Sequence, residues 1–92
     1  MIELSPDTVI IRKPAYASRV QDDLVLFDEE SGKYFASSSV GADIWDLIET
    51  PRSVREISAR LLESYDVAED TCLAEVTRFA SKLVDAGLAE KR

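Results

Sequence analysis

Histidine is absent from this chain, and cysteine occurs once, at Cys72. Zinc and most iron sites need two or more His or Cys ligands, so a single copy of the chain cannot supply one. A histidine general base and a Ser–His–Asp triad are ruled out on the same ground. One cysteine makes no intrachain disulfide, which fits a reducing compartment. Long apolar runs are missing as well. None approaches the roughly eighteen residues of a membrane span. Gly and Pro are scarce, three of each, and there is no low-complexity tract, repeat or linker. Excess positive charge is also lacking. Eleven basic residues stand against eighteen acidic, a net charge of −7, the wrong sign for gripping phosphates. The opening residues Met1 to Asp7 carry acids where a signal peptide needs a basic stretch and then an apolar one. The expected location is cytoplasmic, with neither nucleic acid nor membrane as partner.

What is present is an ordinary globular composition. The 92 residues are 46% hydrophobic and 32% charged, too apolar for disorder. A chain this short buries roughly 60–65% of its unfolded surface, enough for one core and no enclosed reaction chamber. The expectation is one unit over residues 1–92.

The hydrophobic period changes once, near residue 38. Before it, three runs read as strands. Thr8 to Arg12 is rich in β-branched residues and ends before Pro14; Asp23 to Asp28 is apolar between acids; Lys33 to Ser37 follows the polar turn Glu29-Glu30-Ser31-Gly32. The second and third runs form a hairpin. Ala15 to Asp22 shows no period and reads as a loop. After residue 38 the spacing is helical. Ser38 is the expected cap of a first helix with the stripe Val40, Ile44, Trp45, Leu47 and Ile48, closed by Thr50-Pro51. Ser53 with Glu56 makes a capping box for a second helix, bearing Val54, Ile57, Leu61 and Leu62 and ending near Tyr65-Asp66. A third helix spans about Ala68 to Ala86, with Leu73, Val76, Phe79, Ala80, Leu83 and Val84 on a broad face and Gly87 as its C-terminal stop. Strands followed by helices indicate α+β: a three-stranded antiparallel sheet (about 8–37), then a three-helix bundle (about 39–88) of winged helix-turn-helix-like outline.

Few residues offer chemistry. Asp22-Asp23, Asp28-Glu29-Glu30 and Glu69-Asp70 lack the looped oxygen spacing of a cation site. The third helix carries Glu69, Asp70, Glu75 and Asp85 against Arg78 and Lys82, unlike a DNA-recognition helix. Cys72 has no histidine to activate it and reads as a small buried hydrophobe. Tyr34-Phe35 is more informative. Neighbours in a strand point to opposite faces, so both rings cannot enter one core. If their strand lies at a sheet edge, its free N–H and C=O groups can accept another strand.

The stretch Leu24-Val25-Leu26-Phe27-Asp28, Ser31-Gly32-Lys33-Tyr34-Phe35-Ala36 and Val40-Gly41-Ala42-Asp43-Ile44-Trp45 is distinctive in order and spacing. So is the tail Val76, Phe79, Leu83-Val84-Asp85-Ala86-Gly87-Leu88. Over residues 8 to 88 the chain resembles the PqqD-like family, the recognition elements of ribosomally made, post-translationally modified peptides. The resemblance implies a non-enzyme without cofactor or metal. Such a protein binds the leader of a precursor peptide as an added strand on the third strand, against the third helix, and presents it to a modifying enzyme. Carried across, Lys33, Tyr34, Phe35, Ala36 and Ser37 become the pairing edge. Cys72, Val76, Phe79, Ala80 and Leu83 become the helical wall; the pattern leaves open which of these face the groove and which the core. Relatives often have Leu followed by Asn or Asp where this chain has Ser37-Ser38. Glu29-Glu30-Ser31-Gly32 stands where quinone-cofactor members carry a Tyr-Pro-Glu-Gly-like turn. The compact acidic form looks most like the discrete leader-binding proteins of lasso-peptide clusters, which work beside a separate leader peptidase. The alternatives are the same role in another such pathway, including a PQQ-type one with a radical enzyme, or a winged-helix DNA-binding regulator.

Overall fold

The computed structural model describes residues 4–21, 23–28, 32–37 and 39–92. The elements run β1 (Val9–Arg12), β2 (Tyr16–Val20), β3 (Asp23–Asp28), β4 (Lys33–Ser37), α1 (Ser39–Leu47), β5 (Arg52–Ser53), α2 (Val54–Leu61), α3 (Glu69–Asp85) and β6 (Ala89–Lys91). The class is α+β, with antiparallel sheets and three helices.

The sheet expectation needs two corrections. The segment read as a loop, Ala15 to Asp22, contains β2. Its partner is β3, paired from Tyr16↔Phe27 to Val20↔Asp23. Two residues join the strands, and Gln21 takes φ 60°, in the left-handed region that favours Gly or Asn. Gln21-Asp22 lacks the Asn or Gly that signals a two-residue hairpin turn. Tyr16, Ala17 and Ser18 are all exposed, so β2 has no apolar alternation to read. The first run, in turn, does not join the hairpin. β1 is the middle strand of a second sheet, ordered β5-β1-β6, while the hairpin sheet is ordered β2-β3-β4. Two short strands flank β1, each too brief to show a period.

Helix boundaries follow their local chemistry. The Ser53 hydroxyl accepts from the Glu56 N–H at 3.1 Å. The Glu56 carboxylate turns to Arg52 instead of closing the box. Arg52 also donates Nε–H to the Leu47 carbonyl at 2.6 Å, satisfying the end of α1. α2 ends at Leu61, short of the expected Tyr65-Asp66. α3 ends in a Schellman turn: Gly87 N–H bonds Val84 C=O at 3.1 Å and Leu88 N–H bonds Leu83 C=O at 2.9 Å, with Gly87 at φ 76°. Leu88 is buried beside this turn, and the chain continues into β6. Ser38, the expected α1 cap, and residues 29–31 of the expected hairpin turn lie outside the described residues.

A single apolar cluster joins the two sheets and the helices. It contains Ile10 of β1, Leu24 and Leu26 of β3, Ile44, Trp45 and Ile48 from α1 and its C-terminal turn, Ile57 of α2, and Val76, Ala80 and Leu83 of α3. Along β3 the inward residues Leu24 and Leu26 are buried, whereas Val25 and Phe27 are only half-buried. The helices therefore cover one face of the hairpin sheet and leave the other open. At the second sheet, Arg12 lies 5.2 Å from the Trp45 ring centroid and donates to the Trp45 carbonyl at 3.2 Å.

Two backbone positions give opposite outcomes on substitution. At Gly87 an added Cβ would meet nothing within 4 Å, so Gly87→Ala should cost only the left-handed penalty, about 1–2 kcal/mol. Gln21→Gly should remove that penalty from the β2–β3 turn and raise stability by about 0.5 kcal/mol. Urea unfolding monitored by circular dichroism measures both.

Candidate functional site

α3 presents two surfaces at once. Ala80 and Leu83 are fully buried in the core. Cys72, Val76 and Phe79, at helical spacing, line a cleft of about 360 Å³ between α3, the first turns of α1 and the α2–α3 connection. Val40, Gly41 and Ile44 form the α1 side; Leu61, Tyr65 and Val67 close the end. This volume lies in the range of small-ligand pockets, and the lining is mainly apolar. Val76 is fully buried, and Cys72 and Leu61 nearly so, which makes them the floor. The rim is ionic: Glu75, Arg78 and Lys82. Arg78 and Glu75 are 3.5 Å apart and well exposed, a pair weak enough to exchange partners. Tyr65 Oη donates to Asp43 Oδ2 at 2.6 Å. That bond pins the α2–α3 connection to α1 and sets the end of the cleft.

The helix on the α1 side of the cleft follows a sheet-edge strand in the chain. β4 pairs with β3 from Asp28↔Lys33 to Leu24↔Ser37 and is the last strand in the order β2-β3-β4. It ends at Ser37, and Val40 of the following helix already lines the cleft. Tyr34 and Ala36 pair with Phe27 and Val25 and are exposed on the outer face. Position 35 pairs with Leu26. Lys33, Phe35 and Ser37 are placed here by backbone and register alone.

The structure thus brings Cys72, Val76 and Phe79 into one cleft with α1 and sets Ala80 and Leu83 behind them, while β4 packs against α1. Sequence reasoning had not assigned Val40, Ile44, Tyr65 or Val67 to a cleft. Val40 and Ile44 sit in a stripe that reads as core, and Tyr65 looked like a helix end. Cys72 is 5% exposed, and its thiol approaches the Ser58 carbonyl at 3.7 Å. Among the described residues no cluster of three or more His, Cys, Asp or Glu is placed to hold a metal ion. No helix among them is long and apolar enough to cross a membrane.

A family model described as Coenzyme PQQ synthesis protein D (PqqD) matches residues 23–89. The chain belongs to the PqqD family. The matched range opens at β3 and closes at the start of β6, so it holds the edge strand, the cleft and all three helices of this PqqD-family chain. Among solved structures, TbiB1 in complex with the TbiA(beta) leader peptide is similar, with a TM-score of 0.73 and 25% sequence identity. That likeness covers 97% of this chain and 95% of TbiB1, so it extends over β1 and β2 as well. No curated protein matches the sequence.

The burial of Cys72 is directly measurable. Its thiol should react with an aromatic disulfide reagent many-fold more slowly in the native protein than in urea. Equal rates would mean that the cleft floor is open to solvent.

Proposed function

We propose that this protein binds the leader region of a ribosomally synthesised precursor peptide and presents it to a leader peptidase or other modifying enzyme, without catalysing a reaction itself. The leader pairs as an added strand on β4 and sets side chains into the cleft beside α3. The pathway we favour is lasso-peptide biosynthesis, in the cytosol. The observation that carries this reading is the terminal position of β4 in its sheet, packed against the helix whose Val40, Gly41 and Ile44 line an apolar cleft. It occurs in a fold that matches TbiB1, itself solved with a leader peptide, over nearly its whole length. The acidic character of α3 supports a peptide over a nucleic acid, since Glu69, Asp70, Glu75 and Asp85 outnumber Arg78 and Lys82. The family's association with coenzyme PQQ synthesis keeps one second reading in view: the same leader-binding role beside a radical enzyme.

The energetics assign separate tasks to edge and cleft. Main-chain hydrogen bonds contribute about 0.5–1.5 kcal/mol each, and ordering a disordered leader costs about 2–5 kcal/mol or more. A few such bonds do little more than offset that cost. The surplus comes from apolar side chains entering the cleft, at about 1.5–3 kcal/mol each. Backbone pairing sets register; the cleft selects sequence.

Titration with the fluorescently labelled leader of the precursor encoded beside this protein tests the reading. Absence of binding by folded protein at up to about 50 μM, near −6 kcal/mol, would sink it. The edge has its own test. In an antiparallel ladder, alternate residues turn both N–H and C=O away from the partner strand. Of Phe35→Pro and Ala36→Pro, one should therefore abolish leader binding with stability kept, and the other should lower stability by breaking a bond to β3. Phe79 is half-buried at the cleft. Phe79→Ala should weaken leader binding about tenfold, roughly 1.4 kcal/mol, while urea unfolding shows a folded protein.

A further inference from the structure

The outer face of the hairpin sheet carries a feature that the cleft does not use. Tyr16, Phe27 and Tyr34 occupy one row across β2, β3 and β4, since Tyr16 pairs with Phe27 and Phe27 with Tyr34. Their rings meet in that order, the first pair stacked and the second tilted, with centroids 6.4 Å and then 5.0 Å apart and interplanar angles of 30° and 47°. Both spacings fall in the range of attractive aromatic pairs. Yet the outer rings are open: Tyr16 is 65% exposed and Tyr34 75%. A large ring left that exposed gains little from burial in the folded monomer.

We infer that this row is an unfinished aromatic ladder, and that a peptide strand paired on β4 completes it with an aromatic side chain directly opposite Tyr34. The inference rests on β4 being the peptide's pairing edge. Each rung of the row is one strand from the next, and neighbouring strands lie about 4.8 Å apart. A residue opposite Tyr34 in an added strand therefore meets the Tyr34 ring as Tyr34 meets Phe27. Directly opposite pairs are the closest side-chain contacts in a sheet. Tyr16 ends the row at the far strand, β2, so Tyr34 is the rung that faces the incoming chain. The rung and the cleft read different residues of the peptide. Tyr34 lies on the outer face, while α1, whose Ile44 lines the cleft, packs on the inner face with Leu24 and Leu26. Successive side chains of a strand alternate between faces. The aromatic residue thus stands an odd number of positions from any residue that enters the cleft. A strand with only cleft anchors is read on one face; the ladder adds a check on the other, and with it a defence against a one-residue slip.

The experiment is a double-mutant cycle between protein and peptide. Each position of the labelled leader is changed in turn to Ala and to Tyr, and both sets are titrated against the wild type and Tyr34→Thr. Threonine keeps strand preference without a ring. A single leader position should favour Tyr over Ala by about three- to tenfold with the wild type, and by less than twofold with Tyr34→Thr. Equal Tyr-to-Ala ratios in the two proteins at every position would overturn the ladder while leaving leader binding in place. Failure of the folded wild type to bind any leader would remove the proposed function, and the ladder with it.

Discussion

The alternation along β3 decides how the rest of the structure is arranged. Leu24 and Leu26 enter the core while Val25 and Phe27 face outward, and the paired registers carry that choice to β2 and β4. A slip of one residue would reverse both faces of the sheet at once, exposing two leucines and driving Phe27 against α1. The core therefore selects the register, and the register settles which residues of β4 face the helices and which face solvent. The open edge inherits its orientation from a strand that never touches a partner.

α3 is constrained from two sides. Ala80 and Leu83 hold it to the core, and Val76 belongs both to the core cluster and to the cleft lining. A substitution at Val76 would change stability and site shape together, whereas Phe79 and the rim residues can vary with less effect on the fold. Sequence divergence within such a cleft has more room at its rim than at its floor.

The helical half of the fold was legible because its signals are local. Ser53 and Glu56 mark the start of α2, and Gly87 with Leu88 marks the end of α3 to the residue. Each feature depends on neighbours within one turn. The hairpin of β3 and β4 was legible for the same reason. β2 was not, because it is held by backbone pairing and a ring contact, and Tyr16, Ala17 and Ser18 are exposed and impose no period. Nor was the partnership of β1, whose strand character was plain while its neighbours lay far along the chain. At the site, residue type and spacing singled out the α3 face, but the division between Cys72, Val76 and Phe79 on one side and Ala80 and Leu83 on the other depends on where α1 packs.

The second sheet also bears on how the molecule assembles. β2, β3 and β4 are consecutive and close by short loops, so they need only local search. β1 is different: its partners begin at Arg52 and Ala89. During synthesis from the N-terminus, Val9 and Ile10 must wait for Arg52 and Ser53, and Ile11 and Arg12 wait until almost the whole described chain has emerged. The binding edge is then built before the sheet that locks the scaffold. A nascent copy exposes β1 as a pairing edge at that stage, and the closing of β5 and β6 over it leaves β1 with no edge to offer.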